Sequence, residues 1–294
     1  MKMQIDVVAD VKTIVGEGPL WDVETQRLYW VDIFDRRVFR TTFDGREIRA
    51  WDVPMKIGCM ALRRGGDGAI VGLERGFHLL DFRSGTVELI EDPEPDKPAN
   101  RINDGKVDKQ GRFVAGSMET QKQGPSGALY RVDADLSVHR LEGGFTVPNG
   151  PCWSPDGGTF YVSDSWSGEI RAYAYDQLHG TIGDRRTFVR VDASDGAATD
   201  GATVDAEGCV WNALAHGGRI VRYTPSGEVE RVIEMPVKKV TSVMFGGPNL
   251  DILYVTSMAK PAPRPSPDDG VLGGSLFAIT GLGVEGLPES RFAG

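Results

Sequence analysis

The sequence predicts an all-β protein folded as a six-bladed β-propeller. Six segments share one pattern: a short strand, a turn rich in Asp, Gly or Pro, and a second strand. Their mean spacing is about 45 residues, the length of a four-stranded propeller blade. No segment shows the spacing of an amphipathic helix. The six segments start near Gly16, Ile57, Ile102, Pro148, Asp200 and Thr241.

Within these segments, glycine-containing turns between alternating apolar residues predict β-hairpins. The clearest hairpins cover residues 107–116, 153–162 and 204–211. Trp21, Trp153 and Trp211 recur at near-equivalent places in the repeat and are interpreted as blade core.

Closure of the ring follows from the need to protect strand edges. We expect the last hairpin, around residues 275–280, to share its blade with an N-terminal strand around residues 5–9. Residues 1–294 would then form one propeller domain. Two proline-rich stretches, residues 91–98 and 260–267, are predicted surface loops, and the second could also be a polyproline docking segment.

Charge and cysteine content limit the classes of function. The net charge of −9 and the pI near 5.1 argue against nucleic acid or an anionic membrane as a partner. The odd number of cysteines, Cys59, Cys152 and Cys209, without any C-x-x-C spacing, argues against a disulfide framework or a zinc–cysteine site. The N-terminus has no apolar signal region, so we expect a cytoplasmic protein. We also expect a monomer or a weak homo-oligomer.

Four polar residues occupy the same apparent place in the repeat, each directly before a glycine: Glu17, Asp104, Asn149 and Asp200. Residues at one phase of a closed ring meet in space, and carboxylate and amide oxygens suit a hard or borderline cation. Asp and Asn before Gly are also common turn formers. A shared phase favours the metal site, because the acids would otherwise repel one another. We therefore predict that Glu17, Asn149 and Asp200 bind one divalent ion, Ca²⁺, Mg²⁺, Mn²⁺, Zn²⁺ or Fe²⁺.

A second cluster of candidates lies near the predicted metal site. Arg101 and Asn103 alternate along a strand, so they face one side and could contact sugar hydroxyls and a carbonyl oxygen. A salt bridge from Arg101 to Asp104 is the alternative. Glu119, at the end of the following strand, could return to the same face. His216 is interpreted as a turn residue.

Several ordered motifs resemble the SMP-30/gluconolactonase/regucalcin family over nearly the whole chain. They are GEGPLW at residues 16–21, RINDGKVD at 101–108, PNGP at 148–151, DG at 200–201 with DAEG at 205–208, TSVMFGG at 241–247 and ITGLGVEG at 279–286. The stretch after Glu119, residues 120–127, is shorter than the corresponding loop of the animal proteins. Substrate preference therefore cannot be transferred.

The resemblance implies a propeller that hydrolyses sugar lactones with one divalent metal. It assigns Glu17, Asn149 and Asp200 to the metal and Arg101, Asn103 and Glu119 to the substrate, with Asp200 doubling as general base. Substrates would be aldonolactones such as glucono-, galactono-, xylono- or arabinonolactone. Two other functions stay open, a phosphotriesterase on the same fold and a non-catalytic calcium-binding regulatory protein.

Overall fold

Six four-stranded antiparallel sheets form the blades of a β-propeller, as the sequence predicts. The computed structural model describes residues 2–121, 123–259 and 269–294. No α-helix occurs among these residues; a short 3₁₀ helix covers Gly270–Leu272. The same part of the chain contains no helix long and apolar enough to span a bilayer. The predicted loop at residues 260–267 lies outside the described residues.

The blades follow one another along the chain, and five of them are built from four consecutive strands. Blade 1 contains β2 (Gly16–Asp22), β3 (Arg27–Asp32), β4 (Arg37–Thr42) and β5 (Arg49–Asp52). Blade 2 contains β6 (Ile57–Leu62), β7 (Gly68–Leu73), β8 (Gly76–Asp81) and β9 (Val87–Glu91). Blade 3 contains β10 (Asn100–Val107), β11 (Phe113–Glu119), β12 (Gly127–Val132) and β13 (Val138–Phe145). Blade 4 contains β14 (Pro148–Trp153), β15 (Thr159–Asp164), β16 (Glu169–Asp176) and β17 (Thr181–Arg190). Blade 5 contains β18 (Ala198–Val204), β19 (Val210–Ala215), β20 (Arg219–Tyr223) and β21 (Val229–Glu234).

Blade 6 closes the ring in the predicted way. It contains β22 (Val240–Gly246), β23 (Ile252–Ser257) and β24 (Leu276–Thr280), completed by the N-terminal strand β1 (Gln4–Ala9). Strand β1 pairs antiparallel with β24, with Ile5 opposite Ile279. The two ends of the propeller are thereby hydrogen-bonded into one sheet.

Apolar clusters lie between neighbouring blades rather than in one central core. Trp21 packs with residues of blade 6, Trp153 with residues of blade 3, and Trp211 with residues of blade 6. All three are almost completely buried, which confirms their interpretation as blade core. Cys152 belongs to such a cluster, and burial raises the pKa of its thiol to about 12, so it is protonated and packed rather than nucleophilic.

The stretch at residues 91–98 is a surface loop, as expected, and one buried side chain anchors it. Glu94 is buried there and accepts hydrogen bonds from Asn100 Nδ2 (2.9 Å), Lys97 Nζ (2.9 Å) and the Tyr130 hydroxyl (3.0 Å). This carboxylate fixes the chain just before the innermost strand of blade 3. The alternating prolines therefore belong to an anchored turn and not to a free loop.

We expect Glu94→Gln to lower stability at neutral pH by about 1–3 kcal/mol, because it removes a buried charged acceptor. Burial acts to raise the pKa of Glu94, but the hydrogen bonds from Asn100, Lys97 and Tyr130 outweigh it, so the pKa is lowered from 4.5. The corresponding stability is present above the unfolded pKa and is lost as pH falls below it. Urea unfolding at pH 7 and pH 3.5 should show the variant's deficit shrinking at acid pH. An equal deficit at both values would contradict this role.

Candidate metal centre at the channel mouth

The innermost strands of the six blades surround a central channel. Each packs against the innermost strands of the two neighbouring blades, in the order β2, β6, β10, β14, β18, β22 and back to β2. All six run in the same direction through the disc, so their first residues meet at one face, which we call the mouth.

One position on these strands recurs in every blade. In blades 1, 2, 4 and 6 it can be located from a backbone hydrogen bond. A carbonyl at the start of the innermost strand accepts an N–H from the residue just after the second strand, and the position lies two residues after that carbonyl. The four carbonyls belong to Val15, Lys56, Val147 and Lys239. In blades 1, 3, 4 and 5 it lies five residues before the residue that opens the next turn, at Asp22, Asp108, Ser154 and Asp205. We call this the ring position, and its six residues are Glu17, Gly58, Asn103, Asn149, Asp200 and Thr241.

The alignment of Asp104 with the other three polar residues is wrong by one residue. Asn103 lies five residues before Asp108, whereas Asp104 lies four. The bulge of β10 covers Asn103 and Asp104, so Gly105 follows it, whereas Gly18 and Gly150 lie inside the bulges of β2 and β14. A one-residue shift moves a side chain to the other face of a strand. Asn103 therefore shares the ring with Glu17, and Asp104 does not.

The glycines that follow the ring position have a structural cause in two blades. Glu17 and Asn149 each precede a bulge, at Gly18 with φ of 52° and at Gly150 with φ of 60°. A bulge of this type places its first residue in the left-handed region, which glycine adopts at little cost. The bulge bends the strand and re-aims neighbouring side chains, so a turn-forming glycine is compatible with a site role for the residue before it, which stays a prediction.

Glu17 lies in a strongly acidic, dry environment. Its side chain is buried, and burial together with the charges of Asp200 and Asp104 raises its pKa well above 4.5. The Gly18 N–H, at 3.0 Å, and the Arg101 charge offset this only in part. Burial and the two neighbouring carboxylates thus oppose the charged form of Glu17, and a divalent cation would stabilise that form. The site residues therefore fit such an ion on electrostatic grounds.

Two ring amides orient each other across neighbouring blades. Asn103 Nδ2 donates to Asn149 Oδ1 (2.8 Å) and to the Pro148 carbonyl (3.0 Å), and Asn149 Nδ2 donates to Ser165 Oγ (2.8 Å). Asn149 Oδ1 retains a second lone pair for a cation. The Asn149 amide is thus held with its nitrogen bonded to Ser165 and its oxygen bonded to the neighbouring ring residue Asn103.

Arg101 lies two residues before Asn103 on β10. Burial lowers its pKa, while the charges of Glu17, Glu74 and Asp200 raise it. The guanidinium is protonated throughout the pH range of a folded protein. The alternative interpretation, a salt bridge from Arg101 to Asp104, is not observed: the Asp104 carboxylate accepts instead from the Gly105 and Gly150 backbone N–H groups, both at 2.7 Å.

Residues of the C-terminal segment line the channel below the ring. A cavity of about 20 Å³ lies beneath Asp104, close to the volume that one ordered water needs. Glu289 and Ser290 of the C-terminal segment line its far end, and Lys106 Nζ lies 3.3 Å from the Glu289 carboxylate. Phe292, fully buried, ties this segment to blade 2 through the Leu62 carbonyl.

Comparisons with known proteins agree with this architecture. A family model described as SMP-30/Gluconolactonase/LRE-like region matches residues 15–259. The chain belongs to the SMP-30/gluconolactonase family. It is 34% identical to regucalcin of Xenopus laevis over 299 residues, covering 99% of each chain. It is 35% identical to 6-deoxy-6-sulfogluconolactonase of Pseudomonas putida over 294 residues, covering 100% of each. A solved luciferin-regenerating enzyme superposes with a TM-score of 0.93 at 31% identity, covering 99% of each chain.

Glu119, the third substrate residue expected from the family resemblance, lies on the second strand of blade 3 and not on an innermost strand. It ends β11, pairs with Asn100 beside Arg101, and accepts a hydrogen bond from the Gln123 N–H at 2.8 Å. It is half-buried at the mouth end of blade 3. Its contact with substrate stays a prediction.

A different acidic cluster has the spacing of a metal site, but its carboxylates already pair with cationic and N–H groups of the protein. Asp205, Glu207 and Cys209 bring their ligand atoms within 4.8 Å of one another. Arg222 Nη2 already lies 2.7 Å from Asp205 and 2.5 Å from Glu207, and Trp211 Nε1 donates to Asp205 at 2.8 Å. The cluster also opens the turn at the far end of β18, away from the mouth. We interpret it as a structural ion pair.

Sequence reasoning missed three participants in the site. Asn103 was named as a substrate residue but not as a member of the ring, Ser165 holds Asn149, and Thr241 fills the ring position of blade 6. Counting five residues back from each turn, instead of one residue back from each glycine, would have found Asn103. Nothing local to Ser165 signals its role, since it depends on a pairing between two strands.

Proposed function

We propose that this protein is a metal-dependent hydrolase of sugar lactones, with Glu17, Asn149 and Asp200 as metal ligands. The observation that carries the proposal is the ring, where oxygen-bearing side chains of separate blades meet beside the guanidinium of Arg101. Carboxylate and amide oxygens are ligands for Ca²⁺, Mg²⁺ and Mn²⁺, and carboxylate-rich sites also accept Zn²⁺ and Fe²⁺.

The ring residues have separable tasks in this proposal. A bound divalent cation would act as a Lewis acid on the lactone carbonyl and acidify water. Arg101 and Asn103 supply hydrogen-bond donors for the oxyanion and the sugar hydroxyls. Asp200 accepts a proton from water as general base.

The names of relatives support a lactone as substrate. The Pseudomonas putida relative is a 6-deoxy-6-sulfogluconolactonase, and its match covers the whole of both chains. We propose an aldonolactone of five or six carbons for this protein, and a cytoplasmic location in accord with its three buried, unpaired cysteines. We propose a monomer or weak oligomer.

The proposal predicts that chelation abolishes lactone hydrolysis and that one divalent metal restores it. A pH-indicator assay should be run on glucono-, galactono-, xylono- and arabinonolactone, with metal-free protein and with each of the five metals added back. Arg101→Lys serves as a second measurement, because Lys keeps the charge but loses the planar fork. We expect it to retain metal binding and to lose turnover. Undiminished hydrolysis by protein verified as metal-free would reject the mechanism.

Two other activities are outcomes of the same experiment. Several relatives are regucalcins, and a solved one from Agrobacterium tumefaciens, 27% identical with a TM-score of 0.88, is titled a calcium-binding protein. Calcium binding by calorimetry without hydrolysis of any lactone would favour a regulatory protein. Turnover of an organophosphate triester in preference to the lactones would favour a phosphotriesterase.

A further inference from the structure

Three turns at the mouth carry an aromatic ring at the same place. In blades 1, 4 and 5, four residues lie between the last paired residues of the second and third strands, and the second of the four is Phe34, Trp166 or His216. The fourth residue has positive φ each time: 57° at Arg36, 63° at Gly168 and 64° at Gly218. The turns therefore share a backbone shape, and they belong to the blades of Glu17, Asn149 and Asp200.

Two of these turns are fixed to the innermost strand by matching contacts. Asp32, just before the blade 1 turn, accepts the Ile14 N–H at 2.6 Å and the Val15 N–H at 3.2 Å. Asp164 accepts the corresponding two N–H groups in blade 4, both at 3.1 Å. Ser165, next to Trp166, also holds Asn149. The aromatic residues are thus placed relative to the ring by hydrogen bonds.

Phe34 is connected to the polar side of the mouth. Its ring is 51% exposed, and Lys56 Nζ lies 6.0 Å from the ring centroid. Lys56 in turn contacts Glu74 at 2.7 Å, and Glu74 is one of the charges acting on Arg101. The ring therefore belongs to the same surface as the candidate substrate residue.

Trp166 differs from the other tryptophans of the chain. It is 39% exposed, while the other five are at most 9% exposed: Trp21, Trp30, Trp51, Trp153 and Trp211. Blade 4 lies three places from blade 1 in a ring of six, so Trp166 and Phe34 occur on opposite sides of the mouth. The polar ring lies between them, deeper in the channel.

We propose that Phe34 and Trp166 are two apolar walls that hold the carbon skeleton of the lactone ring above the polar ring. This inference rests on the proposed function. A sugar lactone has C–H faces and hydroxyl edges, and small-molecule sites combine aromatic surfaces with a few convergent polar groups. Phe34 and Trp166 contact the C–H faces of the lactone, and Arg101 and Asn103 hydrogen-bond the hydroxyl groups at its edges. Single exposed aromatic residues are ordinary, but equivalent turn positions on opposite, ligand-bearing blades are not explained by chance exposure.

The kinetic test compares Phe34→Ala and Trp166→Ala with the wild type on the best lactone of the panel. Each variant should raise KM about tenfold with kcat changed less than about threefold, because the lost contact binds substrate and does no chemistry. Trp166→Phe should recover most of the loss. Leu178→Ala, which trims an 81% exposed side chain at the opposite face, is the control and should match the wild type. Unchanged KM in both alanine variants would overturn the inference and leave the lactonase proposal intact.

A binding test separates this inference from the proposed function. Trp166 is the one tryptophan open to acrylamide, so quenching of metal-loaded protein reports on the mouth. The aldonic acid product should reduce quenching in the wild type. In Phe34→Ala, the same reduction should require a higher concentration of the product. Trp166→Phe should show little quenching at all. Protection without any lactone turnover would support the walls while rejecting the hydrolase, and no protection by any sugar acid would overturn the walls.

Discussion

Replacing Glu17 with glutamine is expected to weaken metal binding and to reduce lactone turnover strongly while stabilising the metal-free protein. The carboxylate is buried beside Asp200 and Asp104, and its raised pKa reports the cost of charging it there. Glutamine keeps the shape and removes that charge. Sites that hold ligands in unfavourable surroundings commonly trade stability for function.

The expected effects of Glu17→Gln are large enough to separate by simple measurements. Turnover should fall at least about 100-fold, since even residues that only support a metal ligand cost 10–100-fold. The melting temperature without metal should rise by at least about 2 °C, and a given metal concentration should raise it less than in the wild type. Glu88→Gln, on the exposed outermost strand of blade 2, makes the same chemical change away from the channel. The site assignment fails if Glu17→Gln shows the same metal-dependent rise in melting temperature as the wild type and normal turnover.

The second large effect is expected for Asp200→Asn. The amide retains an oxygen for the cation but has no basic lone pair to take a proton from water. We expect kcat to fall by about 10²–10⁴-fold, the usual contribution of a general base. Metal binding should persist with weaker affinity, because the ligand keeps its oxygen and loses its charge.

Two readouts distinguish a base from a purely structural residue at Asp200. The acidic limb of the kcat–pH profile should disappear in Asp200→Asn, and melting temperature should still respond to metal. Asp192→Asn removes a charge from the loop before the same blade, at an exposed site, and should leave the profile unchanged. Wild-type kcat in Asp200→Asn would transfer the role of base to another group.

The candidate site shows when a following glycine correctly predicts a ring residue and when it does not. Glycine after Glu17 and after Asn149 is a real signal, because both glycines form the bulge with positive φ. The same reasoning misplaced Asp104, because its glycine, Gly105, lies after the bulge and pairs with Ala115. A rule based on the nearest glycine cannot tell the two cases apart.

The sequence by itself determined the fold, the family and the closure of blade 6, because strand period, turn chemistry and repeat length are local properties. It also indicated Glu17, Asn149 and Asp200 as the candidate ligands, whose role is for the experiments above to test. Only the tertiary structure decided that Asn103 and Ser165 hold the Asn149 amide and that Phe34 and Trp166 occur on opposite sides of the mouth. Those relations depend on bulges and on strand register between distant segments, which no single stretch of sequence encodes.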